Sequence, residues 1–401
     1  MNRRRFLAAS VGAGVAGSTA AHAADGPATG DEYRGRNKAD LPTPALLVDL
    51  DRFERNLRTM AEHAKAAGCG LRPHAKTHKC PEIARRQVAG GALGVCVATV
   101  PEAEAMAAAN VRGVLLTSPI MERRKIARMV ALAQKGDVML SLGHPRQAEL
   151  LNEAAQAAKA TVSVLVDIDV GDRRTGSLPG QPALELGRLV ARCRNLRLRG
   201  LQAYAGLASH VAGFERRGEV SRQAMGRAVE TRDLFAKHGL ETTILSGGST
   251  GTYNIDSGIR GVTELQVGSY VFMDVDYRRI GGRTNAAVYD DFQPSLTVLT
   301  TVVSVAHPDR VTVDAGTKAL DTTVTVRGQL LDGEGLSYSP GGDEFGILTA
   351  AQGVRLPSLG DRLEFIVPHC DPTTNLYDRI YACRGDRVEA VWPIAARRER
   401  A

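Results

Sequence analysis

Residues 44–76 read PALLVDLDRFERNLRTMAEHAKAAGCGLRPHAK, and their pattern decides the fold. The first seven, PALLVDL, form a short apolar run that predicts a buried strand. Residues 51–67 follow with Phe53, Leu57, Met60, Ala61 and Ala64 on one helical face. A second apolar run at 69–74 ends just before Lys76. The same strand–helix unit then recurs. Strands are expected at 94–99, 112–118, 137–142, 161–169, 197–205 and 242–246. Helices are expected between them, at 81–89, 101–109, 122–134, 145–158, 181–193 and 218–238. Such alternation calls for a parallel sheet. Eight repeats over roughly 230 residues fit a closed (β/α)8 barrel better than an open sheet. No G-x-G-x-x-G follows the first strand, which argues against a dinucleotide fold.

Downstream the character changes. Residues 296–306 (LTVLTTVVSVA) are rich in Val and Thr, and 310–313, 323–326, 362–367 and 388–392 are further β-like runs between Gly, Asp and Pro turns. No helical period appears there. The chain therefore divides into an α/β barrel at 41–285 and an all-β domain at 286–396.

Upstream, residues 24–40 are polar and Gly-rich and read as a linker. Before them, Arg3-Arg4-Arg5-Phe6-Leu7 opens a mildly apolar stretch that ends in Ala21-His22-Ala23, an A-x-A cleavage site. Paired arginines before x-Phe-Leu match a twin-arginine export signal at 1–23, so the Tat machinery is an expected partner and the periplasm the expected location. The apolar run is too short and too rich in Gly, Ala and Ser to span a bilayer, so no stable membrane insertion is expected. The formal net charge of +7 includes those three arginines, and no other basic run appears, which argues against nucleic acid as a partner. The closing Arg397-Arg398-Glu399-Arg400 reads as a solvated tail. Six cysteines show no CxxC pair or zinc-ribbon spacing and read mostly as small core residues.

Three segments carry the chemistry. RPHAKTHK at 72–79 sits at the C-terminal end of an early strand, where barrel enzymes place catalytic side chains. Lys76, beside His74 under the barrel mouth, could lose its proton by desolvation and act as a nucleophilic amine; the alternative is a solvated basic turn. SGGSTGT at 246–252 follows the last clear strand, and its glycines and hydroxyls suit a phosphate nest, although many such loops are only turns. PHCDPT at 368–373 places His369 and Asp371 two apart. In an extended segment both would face one side, as a pair of ligands for a divalent cation; an ordinary histidine in a turn is the alternative.

Together these segments resemble the fold-type III pyridoxal-phosphate enzymes of the D-threonine aldolase and D-serine dehydratase group. The resemblance runs from about Leu41 to Ile394. It is carried by TPALLVDLDRFERN at 43–56, RPHAKTHK at 72–79, DIDVGDRRTG at 167–176, LQAYAG at 201–206, SGGSTGTY at 246–253, ELQVGSYVFMD at 264–274, DAGTK at 314–318 and HCDPTTNLYD at 369–378. It implies that Lys76 holds pyridoxal 5′-phosphate covalently. It implies that Ser246, Gly248, Ser249, Thr250 and Gly251 form the phosphate loop with Tyr270 nearby, and that Arg174 faces the pyridine nitrogen. Tyr204 and His210 would lie over the substrate, with His210 as base, and His369 and Asp371 would bind a metal.

The chemistry is consistent with that assignment. An arginine can only donate, so a ring nitrogen it contacts stays unprotonated and the cofactor is a weaker electron sink. A divalent metal that lowers the pKa of the substrate's β-hydroxyl, with a histidine to take its proton, then assists Cα–Cβ cleavage. The dehydratase branch resembles His-x-Cys, suited to zinc. This chain has His-x-Asp, as in the aldolase branch, which suits manganese, cobalt or magnesium. The expected activity is retro-aldol cleavage of a D-β-hydroxy amino acid, such as D-threonine to glycine and acetaldehyde. The alternative is dehydration of D-serine or D-3-hydroxyaspartate to a keto acid and ammonia. A cofactor-homeostasis protein shares the barrel and lysine but usually lacks the β-domain, and racemisation needs a second base and no metal. The resemblance also implies a homodimer. One departure is Glu344-Phe345-Gly346, where the family commonly carries Glu-His-Gly.

Overall fold

The computed structural model describes residues 31–397. The expected signal at 1–23, the first part of the linker and the tail from Arg398 onward lie outside the described residues. No helix among the described residues is long and apolar enough to cross a membrane.

The apolar run at 44–50 forms β1 (Ala45–Asp49), and the Asp49 side chain caps the next helix, Leu50–Ala66, by accepting from the Arg52 amide at 3.0 Å. β1 is not a barrel strand, however. The barrel consists of β2 (Gly70–Leu71), β3 (Val95–Val97), β4 (Val114–Leu116), β5 (Val138–Leu142), β6 (Val162–Ile168), β7 (Leu196–Ala203), β8 (Ile244–Gly247) and β9 (Glu264–Leu265). They run parallel in the order β2-β9-β8-β7-β6-β5-β4-β3. Backbone bonds from Leu93 to Leu71 and from Cys96 to Pro73, both 2.8 Å, join the two ends and close the ring. The expected eight strands are present, but the first is replaced by the two-residue β9, which is too short to show a period.

The β-domain adds β10 (Leu296–His307), β11 (Arg310–Val313), β12 (Gln329–Leu330), β13 (Leu336–Pro340), β14 (Gly346–Ala350), β15 (Arg362–Ile366), β16 (Arg379–Arg384) and β17 (Arg387–Pro393). Its strand order is β13-β14-β11-β10-β1-β16-β17, with β15 also on β10 and β12 on β15. β1 thus lies between β10, antiparallel, and β16, parallel. A strand buried on both faces reads as a continuous apolar run in either setting, so composition could not tell the two sheets apart. Residues 323–326, expected as a strand, form bends instead. The expected linker is not free at 31–40: Gly35 N–H donates to Val388 O at 2.7 Å, Lys38 N–H donates to Asp386 O at 2.6 Å, and the Tyr33 ring meets Tyr381 edge-on at 5.9 Å. A polar sequence leaves backbone groups as able to pair as any other.

One hydrophobic cluster spans both parts, and Phe53 of the first helix meets Trp392 of β17 at 5.8 Å. Five of the six cysteines are buried and all are free, as small core residues should be. The two parts also meet at the barrel mouth. After β9 the chain passes Asp274, and the amides of Val275 and Asp276 donate to Val367 and Pro368 carbonyls, each at 3.1 Å. That pairing brings the segment after β15 over the strand ends.

Candidate active site

A cavity of about 380 Å³ opens at the C-terminal ends of the barrel strands. Lys76, Arg174, Tyr204, His210, Ser249, Thr250, His369 and Asp371 all line it. Ser246, Gly248, Gly251 and Tyr270 do not.

Lys76 reaches the cavity because β2 stops at once. Pro73 and His74 follow, and the Lys76 amide donates to His74 Nδ1 at 3.4 Å as a 3-10 turn, Ala75–Thr77, begins. Ala75 and Thr77 are buried, while the Lys76 side chain is 41% exposed and so available to a ligand. Its Nζ lies 3.4 Å from Asp371 Oδ2. Desolvation does not win here, contrary to expectation. The Asp371 carboxylate raises the lysine pKa above its ordinary value, outweighing the opposing effect of burial. His74 behaves differently: burial holds it well below the usual histidine range, and its Nε2 lies 3.1 Å from Thr117 Oγ1.

The glycine loop after β8 is built by close approach. Gly248 has φ +82, and a Cβ on Gly251 would fall 2.1 Å from the Ser209 carbonyl. Ser249 and Thr250 face the cavity, joined by Gly268 and Ser269 from the chain after β9. Ser246 points into the barrel, where Gln266 donates to its hydroxyl at 2.9 Å. Below it Arg72 and Glu264 form a buried pair at 2.6 Å. Tyr270 also departs from expectation. Its ring is buried against Phe292, its hydroxyl accepts from Gln87 at 3.2 Å, and only its backbone serves the loop, donating to Thr250 Oγ1 at 3.0 Å.

His369 and Asp371 do share one side, but not through an extended segment. His369 is extended, whereas Cys370–Thr374 is a short helix that packs on the Lys76 turn. Asp274 Oδ2 lies 2.9 Å from His369 Nδ1, and Asp276 Oδ2 lies 2.9 Å from His210 Nδ1. Two carboxylates on one short segment therefore hold both histidines by the same ring nitrogen, leaving each Nε2 free for other partners. Burial opposes charge on His369, but the hydrogen bond and charge of Asp274 outweigh it and push the imidazole up to about 9. Burial likewise opposes the Asp371 carboxylate, but Lys76 and His369 hold its pKa well below the usual range.

Opposite them, the Arg174 guanidinium sits 5.4 Å over the Tyr204 ring, and the Tyr204 hydroxyl lies 3.2 Å from Ser209 Oγ. Asp172 pins the chain after β7 by accepting from the amides of Gly206 and Leu207, at 2.9 and 2.7 Å. The sequence reading missed Asp172, Asp274 and Asp276 as site residues. Asp172 and Asp274 stood within the quoted blocks, and the Asp274-Val275-Asp276 spacing was the only further signal.

The residues fit pyridoxal phosphate. An amine that protrudes into the cavity stands on the same wall system as a glycine and hydroxyl cradle. At Gly268 a Cβ would come within 2.6 Å of Thr77 Oγ1, so that wall has no room for a side chain. A cavity of this volume suits a small cofactor. The donor set for a metal is sparser. No group of three His, Cys, Asp or Glu close enough to hold an ion occurs among the described residues.

Residues 48–276 match the family model described as "Alanine racemase, N-terminal domain", and residues 295–383 match the serine dehydratase domain family. The chain belongs to the fold-type III pyridoxal-phosphate family of D-threonine aldolases and D-serine dehydratases. Within this family it is 38% identical to a D-threonine aldolase of Arthrobacter sp, over 90% of this chain and 93% of that one. It is 35% identical to a 3-hydroxy-D-aspartate aldolase of Paracoccus denitrificans, over 90% and 94%. The crystal structure of D-threonine aldolase from Filomicrobium marinum superposes with a TM-score of 0.86 at 39% identity, covering 90% of this chain and 96% of that one. Members of this family are pyridoxal-phosphate-dependent enzymes, and the aldolases among them are carbon–carbon lyases.

Proposed function

We propose that the chain cleaves D-β-hydroxy amino acids between Cα and Cβ, taking D-threonine to glycine and acetaldehyde, with pyridoxal phosphate on Lys76 and a divalent cation on His369 and Asp371. The observation that carries this reading is the convergence of Lys76, His210, His369 and Asp371 on one cavity from two domains. The similarity to aldolases at 35–38% identity over nine-tenths of the chain supports it.

When bound, pyridoxal phosphate supplies the electron sink for the pair left on Cα as Cα–Cβ breaks. The chain's own residues do the rest. Lys76 Nζ is the attachment point. Ser249 and Thr250 would bind the phosphate, and Arg174 would face the pyridine nitrogen. His210 Nε2 takes the proton from the substrate β-hydroxyl, because Asp276 accepts the Nδ1 proton and so fixes the tautomer that leaves Nε2 basic. Tyr204, braced by Arg174, covers the substrate. Once the aldehyde leaves, Cα takes up one proton, balancing the one His210 removed from the β-hydroxyl, and glycine is released. His369 and Asp371 would hold the cation, whose Lewis acidity acts on the β-hydroxyl; a carboxylate in place of a thiolate at Asp371 suits manganese, cobalt or magnesium.

Incubation of the purified protein with D-threonine, D-serine and D-3-hydroxyaspartate tests this. Glycine plus an aldehyde supports the aldolase reading, and a keto acid plus ammonia replaces it with a dehydratase. The same proposal takes residues 1–23 as a twin-arginine export signal and the periplasm as the site of this activity, which the Arg3-Arg4-Arg5-Phe6-Leu7 and Ala21-His22-Ala23 motifs support.

A further inference from the structure

Asp256 is buried with no exposure at all and lies directly behind the cavity loop. Its Oδ1 is 2.5 Å from Ser221 Oγ, and its Oδ2 is 2.5 Å from Thr252 Oγ1. Thr252 Oγ1 has two further neighbours. It accepts from the Ser249 amide at 3.1 Å, and it lies 3.0 Å from Ser249 Oγ. Ser249 faces the cavity. A continuous path of hydrogen-bonding oxygens therefore runs from Asp256 through Thr252 to Ser249 and the cavity.

A hydroxyl has one proton to donate, and this fixes the direction of the path. Thr252 spends one lone pair on the Ser249 amide. Its proton goes either to Asp256 or to Ser249. If Asp256 is ionised, Thr252 donates to the carboxylate and Ser249 Oγ donates to Thr252. Thr252 then competes with the ligand for the Ser249 proton, and when it wins, lone pairs face the ligand. If Asp256 carries a proton on Oδ2, the two hydroxyl links reverse while the Ser249 amide still donates to Thr252: Asp256 donates to Thr252, Thr252 donates to Ser249, and the Ser249 proton is free for an anion.

We propose that Asp256 is a positioning residue for the cofactor phosphate, binding it as the neutral acid so that the Asp256–Thr252–Ser249 path donates toward the cavity. This rests on the reading of that loop as the phosphate cradle. The surroundings support it. The helix Phe214–Lys237 supplies the Ser221 hydroxyl and the loop supplies Thr252, while β9 carries the charged Glu264, which is paired with Arg72. The other titratable group that feels the charge is the Cys69 thiol, pushed up to about 11, chiefly by burial. No salt bridge to Asp256 occurs among the described residues, so two hydroxyl hydrogen bonds are left to offset the cost of a buried carboxylate behind the phosphate loop. Burial pushes Asp256 up to about 6, although both hydroxyls pull it down.

The sign of the linkage follows. Below that pH the acid is protonated and the path already donates toward the cavity. As pH rises through it the path reverses and phosphate affinity falls, by about tenfold per pH unit. Reciprocally, a bound phosphate ester makes Asp256 hold its proton to higher pH.

The test uses the full chain stripped of cofactor and titrated with pyridoxine 5′-phosphate, which has the ring and phosphate but no aldehyde for Lys76. Calorimetry at pH 8 in two buffers of different ionisation enthalpy counts protons taken up, and affinity is followed from pH 6 to 9. Wild type should take up close to one proton per bound molecule more than Asp256→Asn, whose amide donates to Thr252 at every pH. Affinity of the wild type should fall about tenfold per pH unit relative to that variant. Thr252→Val, which severs the path, should abolish the extra uptake and serves if Asp256→Asn does not fold. Equal proton uptake and parallel pH profiles in wild type and either variant overturn the proposal. Failure of wild type to bind pyridoxine 5′-phosphate even at pH 6 would instead remove the cofactor reading on which it rests.

Discussion

Asp371, on the β-domain, reaches Lys76 Nζ, on the barrel, at 3.4 Å. The residue read as a metal ligand is thus the counter-ion of the residue read as the cofactor's attachment point. A cation already stands where one is expected to bind.

Lys76 should carry the cofactor covalently. Borohydride should fix it to the peptide containing Lys76, with loss of the visible absorbance of the wild type. Lys76→Ala should have neither the absorbance nor activity. A reducible adduct that persisted in Lys76→Ala would place the attachment elsewhere.

Chelation should separate the two groups. EDTA should abolish D-threonine cleavage and leave the visible absorbance largely intact, because Lys76 and the hydroxyl loop need no metal to hold the cofactor. Manganese or cobalt should restore the rate. Asp371→Cys should shift preference toward zinc, since a thiolate is the softer ligand. An unchanged rate in EDTA would end the metal's catalytic role.

Asp276→Asn tests the support of the base. The amide cannot fix the His210 tautomer as a carboxylate does, so kcat should fall by about 10²–10⁴-fold, the range of general acid–base contributions. KM and cofactor absorbance should change little. A variant with wild-type kcat would remove His210 from proton transfer or Asp276 from its support.

Arg217 is fully buried and donates to the carbonyls of Gly251, Val211, Ile280 and Gly281, at 2.7, 2.8, 3.1 and 2.8 Å. Arg217→Met removes these donors, leaving Ile280 O only the Gly213 amide at 2.8 Å, and should destabilise the fold by roughly 3 kcal/mol. Thermal unfolding reads the loss, and faster release of cofactor should accompany it because Gly251 lies in the cavity loop. Unchanged Tm would show that water replaces the guanidinium.

Export is tested by Arg3→Lys with Arg4→Lys, which should hold the protein inside the cell. Mature wild type should begin at Ala24. An intact Met1 on exported protein would count against cleavage.

The barrel was legible because most of its strands are followed by a helix with its own period. β9 was not, since two residues carry no pattern, and β1 was misplaced because burial on both faces looks alike in either sheet. At the site, residues whose chemistry is their own could be named: Lys76, His369 and Asp371 from motifs, and His210 from the family resemblance. Residues that act through others could not. Asp276 is defined by His210, far back along the chain, and only the Asp-x-Asp spacing with Asp274 marks it locally; most of the Arg217 partners are likewise distant in sequence. Tyr270 shows the converse: its motif was visible, but its side chain turned into the core and only its backbone serves the loop.

β1 sits between β10 and β16, so the sheet is missing an interior strand until residues separated by most of the chain meet. During synthesis, residues 45–49 emerge first and must wait, unpaired, for β10 and β16. Contacts this distant in sequence slow folding. A fragment limited to 286–396 would expose two unpaired edges where β1 belongs, and such edges recruit other strands. The barrel can close on its own schedule, but Lys76 meets Asp371 only after the ribosome has delivered nearly the whole polypeptide.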